Sequence, residues 1–184
     1  MNRKPNILLG VTGSVAATLT PKLAAELEEI GEVRVIATEA ALYFFGTDQV
    51  GVRVWTDQDE WPRQRYAKDQ DIPHISLGDW ADVLVIAPLT ANTLAKLVLG
   101  LADNLLTNVY RAWPDDKPVV VAPAMNTRMW QKRLTREQMK KLRCDVVTPV
   151  SKKLACGTTG VGAMADIQDI VEKTRCVLRR GMPP

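Results

Sequence analysis

Residues 82–94 read DVLVIAPLTANTL, and this stretch decides the fold. After Asp82 comes an unbroken apolar run rich in β-branched residues, the pattern of a strand covered on both faces. The run meets Pro88. Beyond it, Leu94, Leu97, Val98, Leu101 and Leu105 recur at helical spacing, with Gly100 placed to bend or break the helix. A doubly buried strand that passes straight into a helix is the building block of a parallel α/β sheet.

The same unit recurs on either side. NILLGV (Asn6–Val11) is a second buried strand, and Val15, Leu19, Leu23, Leu27 and Ile30 mark the helix after it, stopped by Gly31. Pro21 interrupts that pattern, so either one helix is kinked or Thr20 caps a second helix with Pro21 at its first position. EVRVIA (Glu32–Ala37) and PVVVA (118–122) supply further strands. A short helix is expected over 39–45, where Tyr43, Phe44 and Phe45 cannot all face the core. At least one should lie at a ligand or a subunit boundary. Residues 46–73 form a long polar excursion with Trp55 and Trp61 as anchors, and such excursions are often functional. A helix over 127–142, a short strand over 145–148, a loop with Gly157, Gly160 and Gly162, and a last helix from Ile167 complete the reading.

Composition narrows the function classes. The chain has 184 residues, 46% hydrophobic and 24% charged, which suits one soluble globular domain. A net charge of +3 spread along the chain gives no footprint for nucleic acid, although it suits an anionic small molecule. No apolar run approaches the ~20 residues of a membrane span, and none reads as a signal peptide. Cys144, Cys156 and Cys176 lack metal-ligand spacing, and His74 is the sole histidine, so no metal site is expected. Reduced thiols in the cytoplasm are the default.

In parallel sheets, ligands sit beyond the carboxyl ends of the strands. Three strand ends carry polar chemistry: 10–14 (GVTGS), 88–93 (PLTANT) and 123–130 (PAMNTRMW). All three should face one crevice. The GVTGS turn can hold a phosphate on backbone N–H groups and the Ser14 hydroxyl, and it can equally be a tight turn capped by serine. Thr38, Thr90 and Asn92 fall at other strand ends and favour a mononucleotide. His74 alone is more often a structural hydrogen-bonding group than a catalyst. Asn126 is either a helix N-cap or a polar group aimed at a ligand. Cys156 is either a buried free thiol or a thiol carried on a glycine-rich loop.

Several ordered motifs together resemble the homo-oligomeric flavin-containing cysteine decarboxylase family over about residues 7–177. They are GSVAA (13–17), HI (74–75), WADVLVIAPL (80–89), ANTL (91–94), DNLLT (103–107), PAMN (123–126) with Met129 and Trp130, and LACG (154–157). Within the family, the likeness is to the branch acting on a phosphorylated cysteinyl small molecule of coenzyme A biosynthesis. It implies a Rossmann-like or flavodoxin-like three-layer α/β sandwich with a mainly parallel sheet. It also implies one domain over 1–184 with no fused ligase domain, and a homotrimer or an assembly of trimers with the flavin at a subunit boundary. Because it places the first helical turn directly after Gly13, a single kinked helix is expected there.

Residue by residue, the resemblance implies an FMN site formed by Gly13, Ser14, Val15, Thr38, Thr90, Ala91, Asn92, Thr93 and Ala124. His74 matches the family's active-site histidine. Asn126 matches the asparagine that holds the substrate carboxylate, and Cys156 the proton donor on a flap. Met129, Lys153, Ala155 and Met164 match substrate-side positions. The implied reaction oxidises the substrate thiol to a thioaldehyde, releases carbon dioxide and reduces the resulting enethiolate. Thr158 departs from the acidic residue usual in the flap, which keeps a peptidyl-cysteine decarboxylase as the alternative. A catalytically silent phosphatase-regulating homologue is a third reading, and the absence of a long acidic tail speaks against it.

Overall fold

The computed structural model describes residues 3–62, 65, 68, 70–153 and 159–181. In chain order these form β1 (Asn6–Val11), a 3₁₀ segment (Val15–Leu19), α1 (Thr20–Glu28), β2 (Glu32–Ala37), β3 (Val54–Trp55), α2 (Asp57–Glu60) and α3 (Pro73–Trp80). Then follow β4 (Val83–Leu89), α4 (Ala91–Leu99), α5 (Leu105–Ala112), β5 (Val119–Pro123), α6 (Thr127–Trp130) and α7 (Arg133–Lys141). The chain ends with β6 (Asp145–Val146), β7 (Val150–Lys153), β8 (Thr159–Ala163) and α8 (Ile167–Gly181). Among the described residues, no helix is long and apolar enough to cross a membrane.

Six strands make one sheet in the order β3-β2-β1-β4-β5-β6, and every pairing in it is parallel. That order is the Rossmann arrangement, not the flavodoxin one, and it reverses direction between β1 and β4. Side-chain alternation then builds two cores. Ile7, Leu9 and Val11 of β1 and Val83, Val85 and Ala87 of β4 face the layer of α1 and α8. Leu8, Leu84, Ile86 and Leu89 face the layer of α3, α4 and α5. Strands loaded on both faces carry no polar alternation, which is why they read as continuous apolar runs.

The structure revises several expected boundaries. The segment after Gly13 is not one kinked helix. A 3₁₀ turn runs to Leu19 and α1 starts at Thr20, with Pro21 in its first turn. Proline has no N–H to give and is tolerated where that donor is not needed, so the helix restarts there. Residues 39–44 form turns, not a helix, held by Ala41 and Leu42 N–H groups on the Thr38 carbonyl. Gly100 breaks the next helix in the left-handed region at φ 73°, ending α4 before α5. The expected 127–142 helix is split into α6 and α7, and the glycine-rich loop is an antiparallel hairpin of β7 and β8. Pro88 lies inside β4, where the pairing with β5 shifts register between Ile86 and Leu89. Such an irregularity is where an interior strand can accept a residue without an N–H.

The β1–β4 pair is tied at both ends. At the amino end, Asp82 accepts from the Asn6 N–H at 2.7 Å, and Asn6 Nδ2 donates to the Trp80 carbonyl. At the carboxyl end, buried Thr12 donates its hydroxyl to the Pro88 carbonyl at 2.7 Å and accepts from the Thr90 N–H at 3.0 Å. Thr12→Val preserves shape and removes both bonds. It should cost about 1–3 kcal/mol in urea unfolding, since it strands polar groups in a dry position.

Candidate functional site

At the carboxyl edge of the sheet, where the strand order reverses, lies a cavity of about 660 Å³. Its walls come from the segments after β1, β2, β4 and β5. Every residue assigned to the cofactor by resemblance lines it: Gly13, Ser14, Val15, Thr38, Thr90, Ala91, Asn92, Thr93 and Ala124. Met129 lines it as well, about half exposed. The three polar strand ends do share one crevice.

Each wall has a local cause. A Cβ added at Gly13 would stand 2.5 Å from the Ala40 Cβ and 3.0 Å from its backbone, so only glycine lets these two loops touch. Ser14 caps the 3₁₀ turn by accepting from the Ala16 N–H at 3.3 Å. Thr38 follows β2 and donates its hydroxyl to the Val11 carbonyl. Thr90 caps α4 by accepting from the Thr93 N–H at 3.4 Å. The Ala124 N–H bonds the Leu89 carbonyl at 2.9 Å, holding the β5 exit beside the β4 exit.

The lining suits a phosphorylated aromatic group. Hydroxyls of Ser14, Thr38, Thr90 and Thr93, the Asn92 amide and the first-turn N–H groups of α4 can receive an anion. Val15, Ala40, Phe44, Ala91, Ala124, Met125 and Met129 offer apolar surface for a ring. The cationic side chain in this lining, Lys96, is bound to Asp103 at 2.6 Å, which holds the Asp103 carboxyl below its usual range. A phosphate here would therefore rest on neutral donors. Burial pushes the Asp57 carboxyl up, opposed by the Leu105 N–H that donates to it at 2.8 Å.

The remaining expected residues are placed differently. His74 is the second residue of α3 and does not line this cavity. Its Nδ1 lies 2.5 Å from Glu60 Oε1, and its N–H donates to Glu60 Oε2 at 3.1 Å. Asn126 is the N-cap of α6, its Oδ1 accepting from the Arg128 N–H at 2.9 Å. Neighbouring Met125 and Met129 reach the cavity and Asn126 does not line it. Met164 is buried, in the same hydrophobic core as Ala122 and Ala124. Lys153 ends β7, paired with Thr159. The Lys153 side chain, and Ala155, Cys156, Gly157 and Thr158, lie outside the described residues.

The hairpin bearing that segment is seated directly against Asn126. The Gly162 carbonyl accepts from the Met125 N–H at 2.9 Å. Gly162 has φ 146°, and a Cβ there would lie 2.2 Å from the Met125 carbonyl oxygen. Both glycine properties are used at one residue, its left-handed backbone and its lack of bulk.

Several lining residues carried no expected role in the site, although Asp103, Asn104 and Met125 lie in the DNLLT and PAMN motifs. Glu39, Ala40, Asp57, Lys96, Asp103, Asn104 and Met125 face the cavity. Asp57 sits in the long excursion, positioned by the pairing of β3 with β2 and by the Leu105 N–H on its carboxylate. The crowded aromatics gave a partial signal: Phe45 is buried, Phe44 lines the cavity, and Tyr43 is 86% exposed with its ring edge-on to Phe44.

Comparison with known proteins adds to this geometry. Residues 1–179 match the flavoprotein family. The chain is 46% identical over 181 residues to phosphopantothenoylcysteine decarboxylase of Mus musculus, covering 96% of this chain and 88% of the mouse protein. Among solved structures, it superposes with a TM-score of 0.91 and 43% identity on a cysteine-to-serine mutant of PPC decarboxylase complexed with pantothenoylaminoethenethiol, covering 95% and 98% of the two chains. It also matches the FMN binding protein AtHal3, with a TM-score of 0.86 and 44% identity over 95% and 96% of the chains.

The raised Asp57 carboxyl has a definite stability signature. Its folded pKa lies above the unfolded value of 3.8, so its contribution is present below that pH and is lost as pH rises through the folded value. Asp57→Asn keeps an acceptor for the Leu105 N–H and removes the buried charge. Its Tm should exceed that of the unmodified protein at neutral pH, and the gap should close on acidification into the ordinary aspartate range.

Proposed function

The chain belongs to the flavoprotein family, and from that premise we propose that it is an FMN-dependent carboxy-lyase. It converts 4′-phosphopantothenoylcysteine to 4′-phosphopantetheine in coenzyme A biosynthesis. The observation that carries this is the convergence of the GSV turn, Thr38, the TANT turn and Ala124 on one cavity, in a chain 46% identical to the mouse decarboxylase. Relatives of similar identity from plants bear the same activity in their names, so the peptide-modifying and silent readings are not favoured.

A cysteine carboxylate has no neighbouring group to delocalise the electrons left by carbon dioxide. When bound, FMN would supply reversible two-electron chemistry, so that the C=S group formed by oxidising the thiol serves as the missing electron sink. The protein's part is positioning and proton delivery. Ser14, Asn92 and the α4 N-terminus would hold the phosphate, while Val15, Ala124 and Met125 would bracket the ring. Asn126 would orient the substrate carboxylate through its amide NH₂ group, a proximity effect. His74 would assist thiol activation or carboxylate placement. Cys156 would donate its thiol proton to the enethiolate carbon that lost carbon dioxide, restoring a C=S group able to accept hydride. The PPC decarboxylase mutant lacking a cysteine holds an aminoethenethiol, the species at which such a cycle stops when that proton is missing.

The proposal includes a homotrimer, or trimers assembled further, in the cytoplasm. His74 and Asn126 lie outside the single-chain cavity wall, while Val15 and Met129 on that wall are about half exposed. A second subunit placed over this mouth would bring the missing groups to the ring. Light scattering of the purified protein reads the stoichiometry.

The purified protein should be yellow or take up FMN with a flavin absorption band; a colourless protein that cannot be reconstituted overturns the proposal. Cys156→Ser should release carbon dioxide from phosphopantothenoylcysteine and accumulate the enethiol, with full conversion to the saturated aminothiol as the opposing result. His74→Asn should keep FMN and lose turnover by at least about 100-fold, within the range set by general acid–base groups.

A further inference from the structure

Glu60 is the least expected ionisable group near the site. Its side chain is 5% exposed, yet it is a carboxylate at the end of the four-residue helix α2. Both oxygens are engaged with one residue: Oε1 meets His74 Nδ1 at 2.5 Å, and Oε2 accepts the His74 N–H at 3.1 Å. Asn108 Nδ2 donates to Oε1 at 3.4 Å. The imidazole is 27% exposed, so one ring edge is packed against the carboxylate while the ring as a whole stays within reach of a ligand.

We infer that Glu60 is the positioning residue for His74, fixing the proton on Nδ1 and presenting Nε2 to the substrate. This rests on the reading of His74 as an active-site group. An ionised carboxylate only accepts, so the ring nitrogen facing it must carry hydrogen. In the neutral ring Nε2 is then the acceptor, able to take a proton from the substrate thiol. When the ring takes that proton, the buried carboxylate balances the new charge. A capping role alone would need one acceptor for the His74 N–H, and a neutral group would supply it without burying a charge.

The frame around Glu60 supports the assignment. Asp57 and Glu60 are three residues apart on α2, and Leu105 and Asn108 are three apart on α5. The Leu105 N–H donates to Asp57, and Asn108 donates to Glu60. Residues at this spacing share a helix face, so α2 is clamped to α5 at two points. Asp57 lines the cavity, and one turn later Glu60 holds the histidine. The short helix thus sets the position of His74 relative to the cavity.

The test uses the FMN-loaded protein and exploits the single histidine, whose ring ¹⁵N signals need no assignment. Nδ1 should be protonated in the unmodified protein. In Glu60→Gln one oxygen remains; if it keeps the His74 N–H, the amide NH₂ faces Nδ1 and moves the ring proton to Nε2. The variant should retain FMN and KM while kcat falls by about 10- to 100-fold, the scale of losing an orienting partner. Glu60→Asp, which is still an acceptor-only carboxylate, should keep the proton on Nδ1 and recover part of the rate. An unprotonated Nδ1 in the unmodified protein overturns the inference, as does Glu60→Gln with an unmoved proton and kcat within twofold. Failure of the functional reading looks different: His74→Asn would turn over normally while Glu60→Gln still moved the proton.

Discussion

A single buried hydroxyl fixes the geometry on which the site depends. Thr12 stands at the end of β1, where the parallel sheet changes direction, and bonds both the Pro88 carbonyl and the Thr90 N–H at the exit of the neighbouring strand β4. Parallel strands diverge naturally at such a point, because their connections leave to opposite faces. The divergence makes the crevice. The hydroxyl limits it, keeping the GSV turn and the TANT turn close enough to serve one ligand.

The walls of that crevice divide the work between backbone and side chains. The donors open to an anion here are hydroxyls, amides and helix-start N–H groups, since Lys96 is occupied by Asp103. Of the acidic residues in the lining, Asp57 and Asp103 are tied to the start of α5. Asp57 carries a partly buried charge that burial disfavours. Its destabilising effect is tolerated where it anchors the start of α5.

The sheet was legible in the sequence because strands buried on both faces leave a pattern that no loop imitates. NILLGV and EVRVIA became β1 and β2 with unchanged bounds, while DVLVIA and PVVVA became β4 and β5 with boundaries moved by one or two residues. Less was legible where local signals compete. Pro21 allowed two readings, and the second came nearer: a separate helix starts at Thr20 with Pro21 in its first turn, although Leu19 is its N-cap and a 3₁₀ turn precedes it. Residues 39–45 have helical composition, but the close approach of Ala40 to Gly13 replaces the helix with turns. The cavity residues after β1, β4 and β5 were found through motifs. Asp57 and Glu60 were not, because their positions arise from the pairing of β3 with β2 and from contacts to α5, and neither leaves a periodic trace.

The carboxyl edge of the sheet carries one further implication. Thr90 bonds Thr12, Ala124 bonds Leu89, and Met125 bonds Gly162. These links stitch four chain segments, distant in sequence, into a continuous seam along the rim. No amide in the seam can open without loosening its neighbours, so the rim behaves as one cooperative unit of local unfolding. Solvent deuterium would then reach Thr90, Ala124 and Met125 at a common rate, and the β7–β8 hairpin, distant in sequence, would report on the order of the turn after β1.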